Sequence, residues 1–135
     1  MSISGIRTAL AASLDDIATL TVYDNVPDSI SSFPAVYFDI DTINYHQDAG
    51  GDQKDTIEIV LLSGRADGIT SANVKLDTYL EKSGTSSIMA YAEAASFTTH
   101  AAAFIVKDFR RSKGGERIGG ELYSGGRFRC EFIAL

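Results

Sequence analysis

The chain is poor in the residues that usually carry chemistry. Of its 135 residues, one is cysteine, Cys130, and two are histidine, His46 and His100. A single cysteine excludes an internal disulfide and fits folding in a reducing compartment. Two imidazoles leave little general-base capacity, and no Gly-x-Ser-x-Gly elbow is present, so a serine or cysteine hydrolase is not expected. Long apolar runs are missing as well. The longest stretch free of Asp, Glu, Lys and Arg is Ala94 to Val106, which is too short to span a bilayer. Met1 to Leu14 lacks the basic start and unbroken apolar core of a signal peptide, so a chain made and folded in the cytosol is expected, without a membrane partner.

What is present fits one soluble globular domain. Apolar residues make up 44% of the chain and charged residues 22%, values ordinary for a globular protein that argue against disorder. The net charge of −6 is unevenly spread. Residues 1–106 carry five basic and fourteen acidic side chains, net −9, whereas residues 107–135 carry seven and four, net +3. An acidic body with a basic end suits contact between copies of the same chain. A nucleic-acid binder would be basic over its contact face, and most of this chain is not.

Periodicity gives the elements. Ile3, Ile6, Leu10 and Leu14 lie on one face of an N-terminal helix over residues ~3–15, with Ser2 or Ser4 as its cap. Leu20 to Tyr23 is a short β-prone run, ended by Asp24, Asn25, Pro27 and Asp28. Pro34 disfavours helix at Phe33, and from Ala35 a strand alternates: Val36, Phe38 and Ile40 point one way, Tyr37, Asp39 and Asp41 the other. A polar loop from Asn44 to Gln53 joins it to a second strand over residues ~54–63, where Ile57, Ile59 and Leu61 oppose Val60 and Leu62. A hairpin of this kind is antiparallel. Thr70 or Ser71 caps a helix carrying Ala72, Leu76 and Leu80, ended at Ser83-Gly84. Thr85 or Ser86 caps another, carrying Ile88, Met89, Ala92 and Ala95. Residues ~103–111 form a strand, Lys113 to Gly120 a charged turn, and Leu122 to Ala134 the last strand, with a bulge or bend at Gly125-Gly126. The expected fold class is α+β: a mostly antiparallel sheet of four to five strands with about three helices on one side, in the order α-β-β-β-α-α-β-β, as one domain over 1–135.

No constellation within this frame demands a reaction. His46, Asp48, Asp52 and Asp55 form the best metal candidate, but their spacing fits neither a calcium loop nor a zinc pattern, and a solvated acidic hairpin tip explains them. Asp15-Asp16 and Asp39/Asp41 read as a helix-end turn and the wet face of a strand. The glycine pairs serve turns, since none stands between a strand and a helix in a phosphate-binding motif. Cys130 lies on the apolar face of its strand as a packed core thiol. No catalytic residue, metal or cofactor is expected. Lys107, Arg110, Arg111, Lys113 and Arg117 form the strongest charge feature. A solvated strand edge and a subunit contact both explain it, and nucleic-acid binding is the weaker explanation because only Phe109 accompanies it as a stacking aromatic.

The motif order resembles the small tail-terminator (tail-completion) proteins of long-tailed, siphovirus-type phages, actinobacteriophages especially. The resemblance runs through the Ile3–Leu14 helix, Val22-Tyr23-Asp24, Val26-Pro27-Asp28-Ser29-Ile30, Phe33-Pro34-Ala35-Val36-Tyr37 and Tyr45-His46. It continues through Leu76-Asp77-Thr78-Tyr79-Leu80, Ser83-Gly84-Thr85-Ser86-Ser87-Ile88 and Leu122-Tyr123-x-Gly125. The chain departs from that pattern at Phe97-Thr98-Thr99-His100. The resemblance implies a homo-oligomeric ring, typically a hexamer, on the head-proximal end of the tail tube. Such a ring ends tube polymerisation and offers a joint to the head connector. Its place would be the virion neck, with the host cytoplasm as the site of assembly. Genomic DNA would pass through the lumen without specific binding, which an acidic wall favours. Tyr45, His46, Gln47, Asp48, Asp52 and Gln53 would meet an axial partner, the tail tube protein or the connector. Arg110, Arg111, Lys113 and Arg117 would meet a neighbouring subunit. The competing readings are another neck component, such as a head-completion or connector protein, and, from a different class, a small enzyme or ligand-binding domain.

Overall fold

The computed structural model describes residues 3–18, 20–23, 25–30, 32–42, 54–65, 77, 79–84, 86–95, 101–112 and 115–134. Its elements are α1 (Ile3–Leu14), β1 (Thr21–Val22), β2 (Ala35–Thr42), β3 (Lys54–Arg65), α2 (Ile88–Glu93), β4 (Ala101–Arg111), β5 (Glu116–Ile118) and β6 (Glu121–Ala134). The class is mixed α+β: a mostly antiparallel sheet of six strands, with two helices among the described residues.

The sheet runs in the order β1-β2-β3-β6-β4, and β5 also pairs with β6. The longest strands, β3 and β6, are therefore central. The hairpin register of β2 and β3 sets Val36 against Leu61, Phe38 against Ile59 and Ile40 against Ile57. That pairing follows from the alternation in each strand, because a one-residue slip would turn the apolar sets to opposite faces. On one face Val36, Phe38, Ile57, Ile59, Leu61, Phe128, Cys130 and Phe132 form a single buried cluster with Ile6, Leu10 and Leu14 of α1 and Ile88 and Ala92 of α2. Ser87 caps α2 by accepting the Ala90 N–H at 3.1 Å, and the Ser13 hydroxyl on α1 donates to the Tyr91 carbonyl.

The structure departs from the expected layout in several places. Six strands replace the four to five expected, because residues 116–118, expected to lie in a turn, pair with Leu122 and its neighbours as β5. β1 lies parallel to β2, an arrangement that local alternation does not encode. The cap of α2 is Ser87 in place of Thr85 or Ser86. The helix expected over 72–80 falls mostly outside the described residues, although Asp77 and Tyr79 are helical and Tyr79 is buried in the main cluster. Asp55 is not part of a solvated loop tip: it is buried in β3, opposite Phe132. The irregularity expected at Gly125-Gly126 appears as a register shift in the facing strand, between Leu62 and Gly64. The glycines answer a close approach. A Cβ at Gly125 would overlap the Leu61 carbonyl oxygen, and one at Gly126 would lie 2.7 Å from the Arg110 carbonyl oxygen.

The face opposite the helices is apolar at one end only. There Ile30, Ala35, Tyr37, Val60, Leu62, Ile118 and Tyr123 form a second, smaller cluster, with Tyr23 and Phe33 packed against it. The segment between β1 and β2 thus covers one end of the sheet, where Phe33 and Tyr123 stack with ring centroids 5.7 Å apart. The rest of this face carries Asp39, Glu58, Asp108, Arg129 and Glu131, together with Thr56 and Ile105.

Candidate assembly surface

Strand register builds that charged face. Asp39, Glu58, Arg129 and Asp108 stand in one row across β2, β3, β6 and β4. The adjacent row is Tyr37, Val60, Arg127 and Arg110. Each of these side chains leaves its strand opposite to the apolar neighbours that face the helices, as pleating requires. In the first row Arg129 pairs with Asp108 at 2.6 Å. Both groups are substantially exposed, and such a pair contributes about 0–1 kcal/mol.

Arg127 is the centre of the face. Its Nη2 lies 2.9 Å from Oε1 of Glu116, and its Nε donates to Oε2 of the same carboxylate at 3.0 Å. Its Nη1 donates to Asp39 at 3.1 Å and to Glu58 at 3.2 Å. One guanidinium thus joins three carboxylates from β2, β3 and β5. The Ser112 hydroxyl also donates to Glu116. Burial works against ionisation of Glu116, but the hydrogen bonds from Arg127 and Ser112 outweigh it and hold this carboxyl below the usual range. Tyr37 responds in the opposite direction. Burial and then the Glu116 carboxylate push its phenol up to about 12, against the lowering influence of Arg127.

β4 is the outermost described strand on its side of the sheet, and β5 continues that side of β6. Along this margin Ile105, Lys107, Arg110, Arg111 and Arg117 are exposed. Ile105 is one of two large apolar side chains so exposed among the described residues; the other is Val26. Register places Arg110 on the charged face, and Arg111 and Arg117 on the helix side. Arg117 donates to the Gly120 carbonyl at 3.4 Å. Of the expected subunit-contact residues, Arg110, Arg111 and Arg117 therefore share one margin, while Lys113 lies outside the described residues. The expected axial-contact residues Tyr45, His46, Gln47, Asp48, Asp52 and Gln53 also lie outside them.

Arg127 lies within the expected last strand, but no local pattern marks out its partners, because they come from other strands. Its one local sign is a polar position flanked by Gly126 and Phe128 in a strand whose other face is apolar. Among the described residues no group of three His, Cys, Asp or Glu is placed to hold a metal ion. Among them, too, no helix is long and apolar enough to cross a membrane. Burial pushes the Cys130 thiol well up, which keeps it protonated.

No protein-family model matches the chain, and no curated protein matches it. Among solved structures it is similar to one described as "Structure of bacteriophage SPP1 gp17 protein", at 14% sequence identity and a TM-score of 0.39. The alignment covers 96% of this chain and 88% of that one.

Proposed function

We propose that this chain is a structural virion protein of the tail-terminator kind. Copies of it form a ring, a hexamer in this reading, that caps the head-proximal end of a phage tail tube. The ring stops tube polymerisation and provides the joint to the head connector. It performs no reaction. The ordered set of sequence segments that resembles this family carries the reading. The one-sided covering of the sheet supports it: the helices bury one face, while the other keeps a charged lattice beside a basic margin. Surfaces of this kind suit contact with further protein.

In this reading the tube protein and the connector are the axial partners, met through residues 45–53. Arg110, Arg111, Lys113 and Arg117 meet the adjacent subunit, and genomic DNA passes through the lumen without specific binding. Electron microscopy of the purified protein tests the ring, with annular particles expected. Separately produced heads and tails test its place, with the protein expected on tails. A protein that stays monomeric at every concentration, or that copurifies with heads and never with tails, would overturn the reading.

A further inference from the structure

Ser112, at the end of β4, and Gly115 and Glu116, at the start of β5, are tied together by several contacts. Ser112 donates its backbone N–H to the Gly125 carbonyl at 3.0 Å and its hydroxyl to Glu116. The Gly115 N–H returns to the Ser112 carbonyl at 3.0 Å. Gly115 has a φ of 78°, in the left-handed region, and a Cβ there would stand 2.7 Å from the Tyr123 carbonyl oxygen. Glu116 closes the segment through the two-pronged contact with Arg127, and its side chain is only 13% exposed. A fork-to-fork arginine–carboxylate pair fixes orientation as well as distance. Desolvating such a pair offsets much of its attraction, so stability alone is a weak reason to keep one.

This clasp lies among the basic residues of the margin. Arg110 and Arg111 precede the segment and Arg117 follows it, all exposed. The salt bridges among the described residues join Asp39, Glu58 and Glu116 to Arg127 and Asp108 to Arg129, and none of these four involves Arg110, Arg111 or Arg117. Arg111 and Arg117 lie on the helix side of this margin and Arg110 on its other face, so an acidic partner that meets the edge itself would reach all three. The rest of the same chain supplies the opposite charge, with net −9 over residues 1–106.

We infer that Arg127 is a positioning residue for self-assembly: by clasping Glu116 it fixes the start of β5 against Ser112 at the end of β4 and presents Arg110, Arg111 and Arg117 to the acidic surface of a second copy. The inference rests on the ring-forming reading above and adds the device that prepares one subunit for the next. Preorganising a contact removes part of the ordering entropy otherwise lost on association.

The test compares the full-length protein with Glu116→Gln, Arg127→Met and the double variant Arg110→Ala/Arg111→Ala. Light scattering coupled to size exclusion follows assembly across concentration, and amide exchange follows residues 112–118. Releasing the clasp is expected to speed exchange at 112–118 and to raise the concentration for half-assembly tenfold or more. The double variant is expected to keep wild-type exchange there and still lose assembly, which separates positioning from contact. Should Arg127→Met fail to fold, Glu116→Gln, which keeps size and shape, decides alone. Wild-type protein that never assembles would sink the ring reading and this inference with it. Wild-type assembly matched by Glu116→Gln despite faster local exchange would sink the clasp inference only.

Discussion

The Glu93 side chain at the end of α2 accepts the backbone N–H of Val106, in the outermost described strand, at 3.0 Å. An edge strand offers unpaired backbone groups to any passing strand, and a carboxylate held over one of them blunts the edge. The same contact ties α2 to β4.

Glu93→Ala should therefore loosen this part of the edge. Faster amide exchange at Val106 is expected, with a loss of about 1 kcal/mol, the scale of a hydrogen bond to a charged acceptor that is partly exposed. Exchange mass spectrometry and chemical denaturation measure the two effects. Unchanged exchange at Val106 would contradict the assignment.

Glu116 makes stability depend on pH in a defined direction. Its folded carboxyl titrates below the ordinary value of about 4.3, so its contribution is complete above that value. The contribution is lost as pH falls through the lower, folded value. The stability gap between wild type and Glu116→Gln should thus be flat from about pH 6 to 8 and close in acid. Urea midpoints taken at several pH values give the gap, and one that widened in acid would refute the sign.

Gly125→Ala should be among the most damaging small substitutions. The added methyl meets the backbone of Leu61 in the neighbouring central strand, where no side chain can turn aside. A loss of about 3 kcal/mol is expected, in the upper range for overpacking. Gly84, which has open space around its Cβ position and a φ of 112°, should lose about 1–3 kcal/mol on change to Ala, through backbone strain without overlap. Thermal melts of the two variants compare them directly.

Cys130 is fully buried among Phe128, Phe132 and the helices. Labelling with a thiol reagent at pH 8 should be slow in the native protein and rapid in denaturant, because only opening of the core exposes the thiolate. Replacing Cys130 with Ala should lower stability by about 1–2 kcal/mol through lost packing. Native labelling as fast as that of a free thiol would place this residue elsewhere.

Much of the framework follows from local pattern. The spacing of Ile6, Leu10 and Leu14 defines α1, and alternation through Val36–Ile40 and Ile57–Leu62 gives both strands and their hairpin. The basic residues 110, 111 and 117 were recognisable as a group because they are near one another in sequence. Their shared margin is set by strand order, which periodicity does not carry.

What the sequence determined by itself is therefore which residues turn inward, since side-chain direction repeats every two residues in a strand and every 3.6 in a helix. The tertiary structure alone decided which strands become neighbours. β6 enters between β3 and β4, residues 116–118 become β5, and Tyr37 and Val60 acquire a second cluster of their own. Arg127 shows the difference most plainly, because its three carboxylate partners lie 88, 69 and 11 residues away in the chain. Only a folded sheet brings them within 3.2 Å of one guanidinium, as pairing between distant strands depends on the whole chain closing around its core.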